Sequence, residues 1–110
     1  MNGLPATLNS LQVLNPASRE VIGEVANSSQ PEVEAAVAAA HRASGPWAAC
    51  TERAGSLLEC AKTLKGNTVR LARILTEEQG KPLRESMEEL LGSARWLRNT
   101  TRSKVASSAP

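Results

Sequence analysis

Two short apolar runs open the readable pattern. Leu11-Gln12-Val13-Leu14 and Glu20-Val21-Ile22-Gly23-Glu24-Val25 are compact and rich in branched residues, which is a strand signal. Between them stands Asn15-Pro16-Ala17-Ser18. Asn favours the first turn position, and Pro presets φ at the second. The two runs predict a β-hairpin, which is marginal by itself and needs a surface to pack against. Residues 1–10 carry no period and are expected to form a flexible start.

Four helical patterns follow. Ser29 and Glu32 have capping-box spacing, and Pro31 is tolerated in a first turn. Val33, Ala36, Val37 and Ala40 then share one narrow face, and Gly45-Pro46 is expected to stop the first helix. Thr51 is a candidate cap for a second helix, whose apolar face is Ala54, Leu57, Leu58, Ala61 and Leu64. Gly66-Asn67 breaks that pattern, with Asn67 or Thr68 as the next cap. Val69, Ala72 and Leu75, flanked by Leu71 and Ile74, predict a shorter third helix ended by Gly80. Leu83, Met87, Leu90, Leu91, Ala94 and Leu97 form the clearest amphipathic stripe, beginning after Pro82. From Asn99 the period is lost, and residues 99–110 are expected to be a disordered tail.

Composition narrows the picture. The chain has 110 residues, which suits one domain. Of its apolar residues, 41% of the chain, the largest share is alanine, and Phe and Tyr are absent. The core is therefore thin. Asp is absent and His occurs once, which removes Asp-based triads and EF-hand loops. Two cysteines and one histidine cannot supply an ordinary four-ligand zinc site. Two cysteines are also too few for a disulfide scaffold. No apolar run reaches membrane-spanning length, and no secretory signal is visible. The expected location is cytoplasmic. The net charge is +2, with a basic excess near the end at Arg95, Arg98, Arg102 and Lys104. With two aromatics in the chain, this excess lacks stacking platforms for single strands, so nucleic acid is not the expected partner.

Several residues invite chemical readings. Cys50 lies beside a helix N-terminus, where a thiol pKa can be depressed; Cys60 reads as a small helix residue. His41 follows the first apolar stripe, where the helix dipole explains it. Gly80-Lys81-Pro82 lacks the first glycine and the Ser/Thr of a phosphate loop and reads as a turn between helices. Glu88 and Glu89 are adjacent on a helix and do not face each other, so they read as a solvated face. Trp47 and Trp96 are expected to pack.

Four strings in order carry a resemblance. Val13-Leu14-Asn15-Pro16-Ala17-Ser18-Arg19-Glu20-Val21-Ile22-Gly23-Glu24-Val25 resembles the opening hairpin of the NAD(P)-dependent aldehyde dehydrogenase family. Pro31-Glu32-Val33-Glu34-Ala35-Ala36-Val37-Ala38-Ala39-Ala40 with Trp47 is similar to that family's first helix and following tryptophan. Glu52-Arg53 with Leu57-Leu58 resembles its second helix start. Leu75-Thr76-Glu77-Glu78-Gln79-Gly80-Lys81-Pro82-Leu83 resembles its E-x-G-K-P-L segment. The resemblance covers about residues 11–98.

It implies an α/β parent in which this stretch is the N-terminal lead-in to a Rossmann-like NAD-binding domain. The chain itself is expected to be a short hairpin and about four helices, mostly α. The implied parent activity is oxidation of an aldehyde to an acid with NAD or NADP. The family's catalytic cysteine, glutamate and cofactor loop would lie downstream, so no catalytic, cofactor-binding or metal residue is assigned here. The chain alone is expected to bind no cofactor and to be inactive. Its expected partner is the remainder of an aldehyde dehydrogenase or a homologous subunit. Three positions depart from the pattern: Arg19, where the family usually has Gly, and Gly55 and Gly66, where helix formers are usual. The pattern stops after Arg98, which implies a truncated product with a non-family tail at 99–110. A free-standing helical interaction module using the Leu83–Leu97 stripe is the alternative.

Overall fold

The computed structural model describes residues 9–107. The expectations for residues 1–8 and 108–110 lie outside the described residues. The chain divides at Ala49/Cys50 into two compact units.

In the first unit, β1 (Ser10–Leu14) pairs antiparallel with β2 (Val21–Ala26). Leu11 stands opposite Val25, Val13 opposite Gly23 and Leu14 opposite Val21. Ile22 is thus the extra residue of a β-bulge, which twists the strand locally. The turn is held by Asn15. Its Oδ1 accepts the Ala17 amide at 2.9 Å and the Ser18 amide at 3.3 Å. Its carbonyl accepts the Arg19 amide at 2.7 Å. This closure puts Arg19 in the left-handed region at φ 64°, the conformation in which a side chain is strained and Gly is not.

The capping box forms as the spacing predicts. Ser29 donates its amide to Glu32 Oε2 at 2.7 Å, and its hydroxyl donates to the same oxygen at 2.9 Å. The helix α1 then runs Gln30–Ala49. It does not stop at Gly45-Pro46, contrary to the sequence expectation. Pro46 lies inside the helix and can donate nothing to the Arg42 carbonyl. Ser44 Oγ donates to the His41 carbonyl at 2.7 Å, adding a local bond in the turn before the proline. Alanines on both sides favour the helical state.

The second unit contains α2 (Arg53–Gly66), α3 (Thr68–Gln79) and α4 (Leu83–Ser107). The α2 face predicted by periodicity is the one turned inward, with Ala61 buried and Leu57, Leu58 and Leu64 half-buried. Thr51 is not the cap. Glu52 occupies that position and makes no side-chain cap bond. Asn67 joins α2 to α3 and stands at the N-cap position of α3, one of the two residues expected there, but neither it nor Thr68, the first residue of α3, makes a side-chain cap bond to α3. Both reach backward instead. Asn67 Nδ2 donates to the Thr63 carbonyl at 2.8 Å, and Thr68 Oγ1 donates to that of Lys65 at 2.8 Å. Thr68 thus serves a carbonyl in the last turn of α2, and the Thr63 carbonyl accepts the Asn67 backbone amide as well, at 3.1 Å. Gly80 ends α3 at φ 76° and donates its amide to the Thr76 carbonyl at 2.8 Å, as the sequence predicts.

The seam among these helices is built from small side chains. Ala61, Ala72 and Ala94 are buried, and so are Thr68, Ser86 and Thr101. On α4 the inward ridge is Ser86, Leu90, Ala94, Leu97 and Thr101, with i+3 and i+4 steps that keep it on one face. Leu83 and Leu91 lie exposed at its margin. The ridge continues past Arg98. Thr101 is buried, and its Oγ1 donates to the Leu97 carbonyl at 2.7 Å. This corrects the expected disordered tail over residues 99–107. The inward position there is a threonine, which satisfies its hydroxyl on its own helix and is invisible to a pattern of apolar residues.

Candidate functional site

The α3–α4 junction brings the sequence's best-marked motif into a defined geometry. Gly80-Lys81-Pro82 is a turn. The Gly80 amide is committed to α3, and the Lys81 ammonium pairs with Glu89 nearly two turns into α4, on its exposed side. Below it, Thr76 Oγ1 and Ser86 Oγ share a hydrogen bond of 2.8 Å. Ser86 is fully buried. The Gly80 amide and the Lys81 ammonium are therefore each engaged. No step of cofactor chemistry follows from these residues. Sequence reading missed Thr76 and Ser86 because polar residues on an inward face do not register in an apolar period.

The other candidate groups stay apart. Cys60 lies exposed on α2, and Cys50 is half-buried just before α2, where its carbonyl accepts from Arg53 Nε at 3.2 Å. The chain's one histidine belongs to the first unit and both cysteines to the second. His41 sits exposed inside α1. Because α1 continues to Ala49, the helix terminus does not explain it. Glu88 pairs with Arg84 Nε at 3.0 Å, and both side chains face solvent. Such pairs contribute about 0–1 kcal/mol. Trp47 and Trp96 are 47% and 66% exposed, so neither is the buried packing residue expected from the sequence. Among the described residues, no group of His, Cys, Asp and Glu is placed to hold a metal ion. No described helix is long and apolar enough to cross a membrane.

Two surfaces stand out instead. In the first unit, no residue of α1 or β2 is buried. Val25 and Val37 are 52% and 64% exposed, and Leu11, Leu14, Val21 and Val33 are exposed with them. In the second unit, a groove of about 590 Å³ lies between α2 and α4. From α2 it takes Leu58, Ala61, Lys62 and Lys65; from α4 it takes Leu91, Ala94, Arg95, Arg98 and Arg102. Its floor is aliphatic and its rim cationic.

Comparison with known proteins fits the hairpin, the capping box and the α3–α4 turn into one family. The family model described as "Aldehyde dehydrogenase family" matches residues 4–106, beyond Arg98 where the legible strings end. A "Probable aldehyde dehydrogenase" of Pseudomonas sp is 41% identical over 90 residues, covering 80% of this chain and 18% of that protein. The 3-sulfolactaldehyde dehydrogenase of Pseudomonas putida is 44% identical over 80 residues, covering 71% of this chain and 16% of that protein. The mitochondrial succinate-semialdehyde dehydrogenase of Rattus norvegicus is 40% identical over 95 residues, covering 84% and 18% respectively. The chain thus spans less than one fifth of the length of these relatives. It belongs to the aldehyde dehydrogenase family, as an N-terminal segment.

Proposed function

We propose that this chain is the structural N-terminal part of an NAD(P)-dependent aldehyde dehydrogenase. In this reading it contributes to aldehyde oxidation only when the rest of such an enzyme, or a homologous subunit, packs against it. The parent reaction converts an aldehyde to a carboxylic acid and passes hydride to the nicotinamide. The nucleophile, the proton-relaying carboxylate and the cofactor loop belong to the parts this chain does not contribute. The observation that carries the reading is the exposed apolar surface of the hairpin and α1, on a segment that matches less than one fifth of each relative. Apolar patches of this kind mark contact surfaces.

The test measures NAD(P)H formation at saturating cofactor over a panel of aldehydes. The purified 110-residue chain should give none. A relative deleted of its matching N-terminal segment should be inactive alone and recover turnover when this chain is added. Cofactor reduction by the chain alone would overturn the proposal, and so would failure of the chain to restore any turnover. The alternative of a helical module binding through the Leu83–Leu97 stripe loses ground, because Leu90, Ala94 and Leu97 are already turned into the seam with α2 and α3.

A further inference from the structure

We propose that the groove between α2 and α4 docks an acidic amphipathic helix of a partner protein. The charge distribution points to that occupant. Lys62 and Lys65 stand on one bank, and Arg95, Arg98 and Arg102 on the other. The one acidic residue in the lining is Glu59, which pairs with Lys62 at 3.0 Å. Lys65, Arg95, Arg98 and Arg102 have no carboxylate within ion-pair distance among the described residues. Elsewhere in this unit Arg84 and Lys81 each find a glutamate, while Arg53 and Arg70 bond to the Cys50 carbonyl and to Asn67 Oδ1. The groove therefore gathers positive charge that the fold does not neutralise, and such a surface raises the encounter rate and selectivity for an anionic partner.

The floor selects among anions. Leu58, Ala61, Leu91 and Ala94 offer aliphatic surface between the two cationic banks. A phosphate backbone gains nothing from it, and no aromatic side chain lines the groove to stack a base. An amphipathic helix uses both parts, laying apolar residues on the floor and carboxylates against the banks. Spacing sets the pattern. Arg95 to Arg102 is a rise of about 10 Å along α4, with steps of three and four residues. A helix lying along α4 meets these cations with carboxylates at i, i+4 and i+7. This docking stands independently of the oxidation chemistry proposed above.

The test is fluorescence anisotropy with the full chain and a labelled synthetic helical peptide. The peptide carries glutamates at i, i+4 and i+7 beside a leucine stripe. It should bind, and binding should weaken as salt rises. Replacing its glutamates with glutamines, or scrambling it so that charge is kept and the apolar face lost, should each weaken binding by roughly tenfold or more. The double variant Arg95→Gln, Arg98→Gln should do the same while keeping its far-ultraviolet circular dichroism. Glu59→Gln, which removes the lone opposing carboxylate, should tighten binding by roughly twofold or more. The proposal is overturned by absence of binding, by equal affinity for the scrambled or glutamine peptide, or by an unchanged affinity in Glu59→Gln. Tighter binding of duplex DNA than of the peptide under the same salt would likewise overturn it and assign the surface to nucleic acid.

Discussion

The Thr76–Ser86 hydrogen bond gives an asymmetric pair of mutational costs. Removing the Ser86 hydroxyl by Ser86→Ala leaves Thr76 Oγ1, which is half-buried and can recruit water. The cost should be that of one net hydrogen bond, about 1 kcal/mol. Removing the Thr76 hydroxyl by Thr76→Val leaves Ser86 Oγ at a fully buried position. An orphaned buried hydroxyl is more expensive, and the cost should be about 2 kcal/mol. The double variant removes both partners together and should cost about 2 kcal/mol rather than the sum of the singles, a coupling of about 1 kcal/mol. The assay is urea unfolding followed by ellipticity at 222 nm, with the m-value held constant across the four proteins. If Ser86→Ala costs as much as Thr76→Val, burial does not set the cost. If the two variants add, the bond across the α3–α4 turn contributes no stability.

The two left-handed residues should respond in opposite directions. Arg19→Gly relieves the side-chain strain at φ 64° and should stabilise the hairpin by about 0.5–1 kcal/mol after the added unfolded-chain entropy, read as slower amide exchange in β1 and β2. Gly80→Ala puts a Cβ at φ 76° and should lower the stability of the second unit by about 1 kcal/mol in the same urea assay. Glu32 accepts first from the Ser29 amide and then from its hydroxyl, which holds its carboxyl below the ordinary glutamate range. The capping contribution is therefore present above that range and is lost as pH falls through the lowered value. An NMR titration should show a depressed Glu32 midpoint that moves up toward the ordinary glutamate range when Ser29→Ala removes the hydroxyl bond.

How much of this was legible from residues alone depends on the kind of signal. The α2 face was readable because Leu57, Leu58, Ala61 and Leu64 are apolar at helical spacing and nothing competes. Gly80 was readable because a helix end favours glycine at φ above zero, and Arg19 only because the resemblance puts Gly at that position. The run of α1 through Pro46 was not readable. A proline signal is local, while the outcome depends on the helix formers on both sides. The extension of α4 was hidden for a different reason. Its inward ridge alternates Ser86 and Thr101 with Leu90, Ala94 and Leu97, so a hydropathy period sees only part of the ridge and stops at Leu97. Thr51 failed as a cap because proximity to a helix start does not fix which residue turns out of it. The cationic groove was half legible. The basic excess of α4 shows in the sequence, but its meeting with Lys62 and Lys65 across a leucine and alanine floor is a tertiary fact.

Amide hydrogen exchange of β1, β2 and α1, with and without a relative lacking its matching segment, tests the central claim most directly. That claim is that the exposed apolar faces of the first unit are contact surfaces for the rest of an aldehyde dehydrogenase. The account predicts that these amides become markedly slower to exchange on mixing, while Arg19→Gly speeds none of them. Unchanged exchange at a concentration where the two chains co-purify would contradict it.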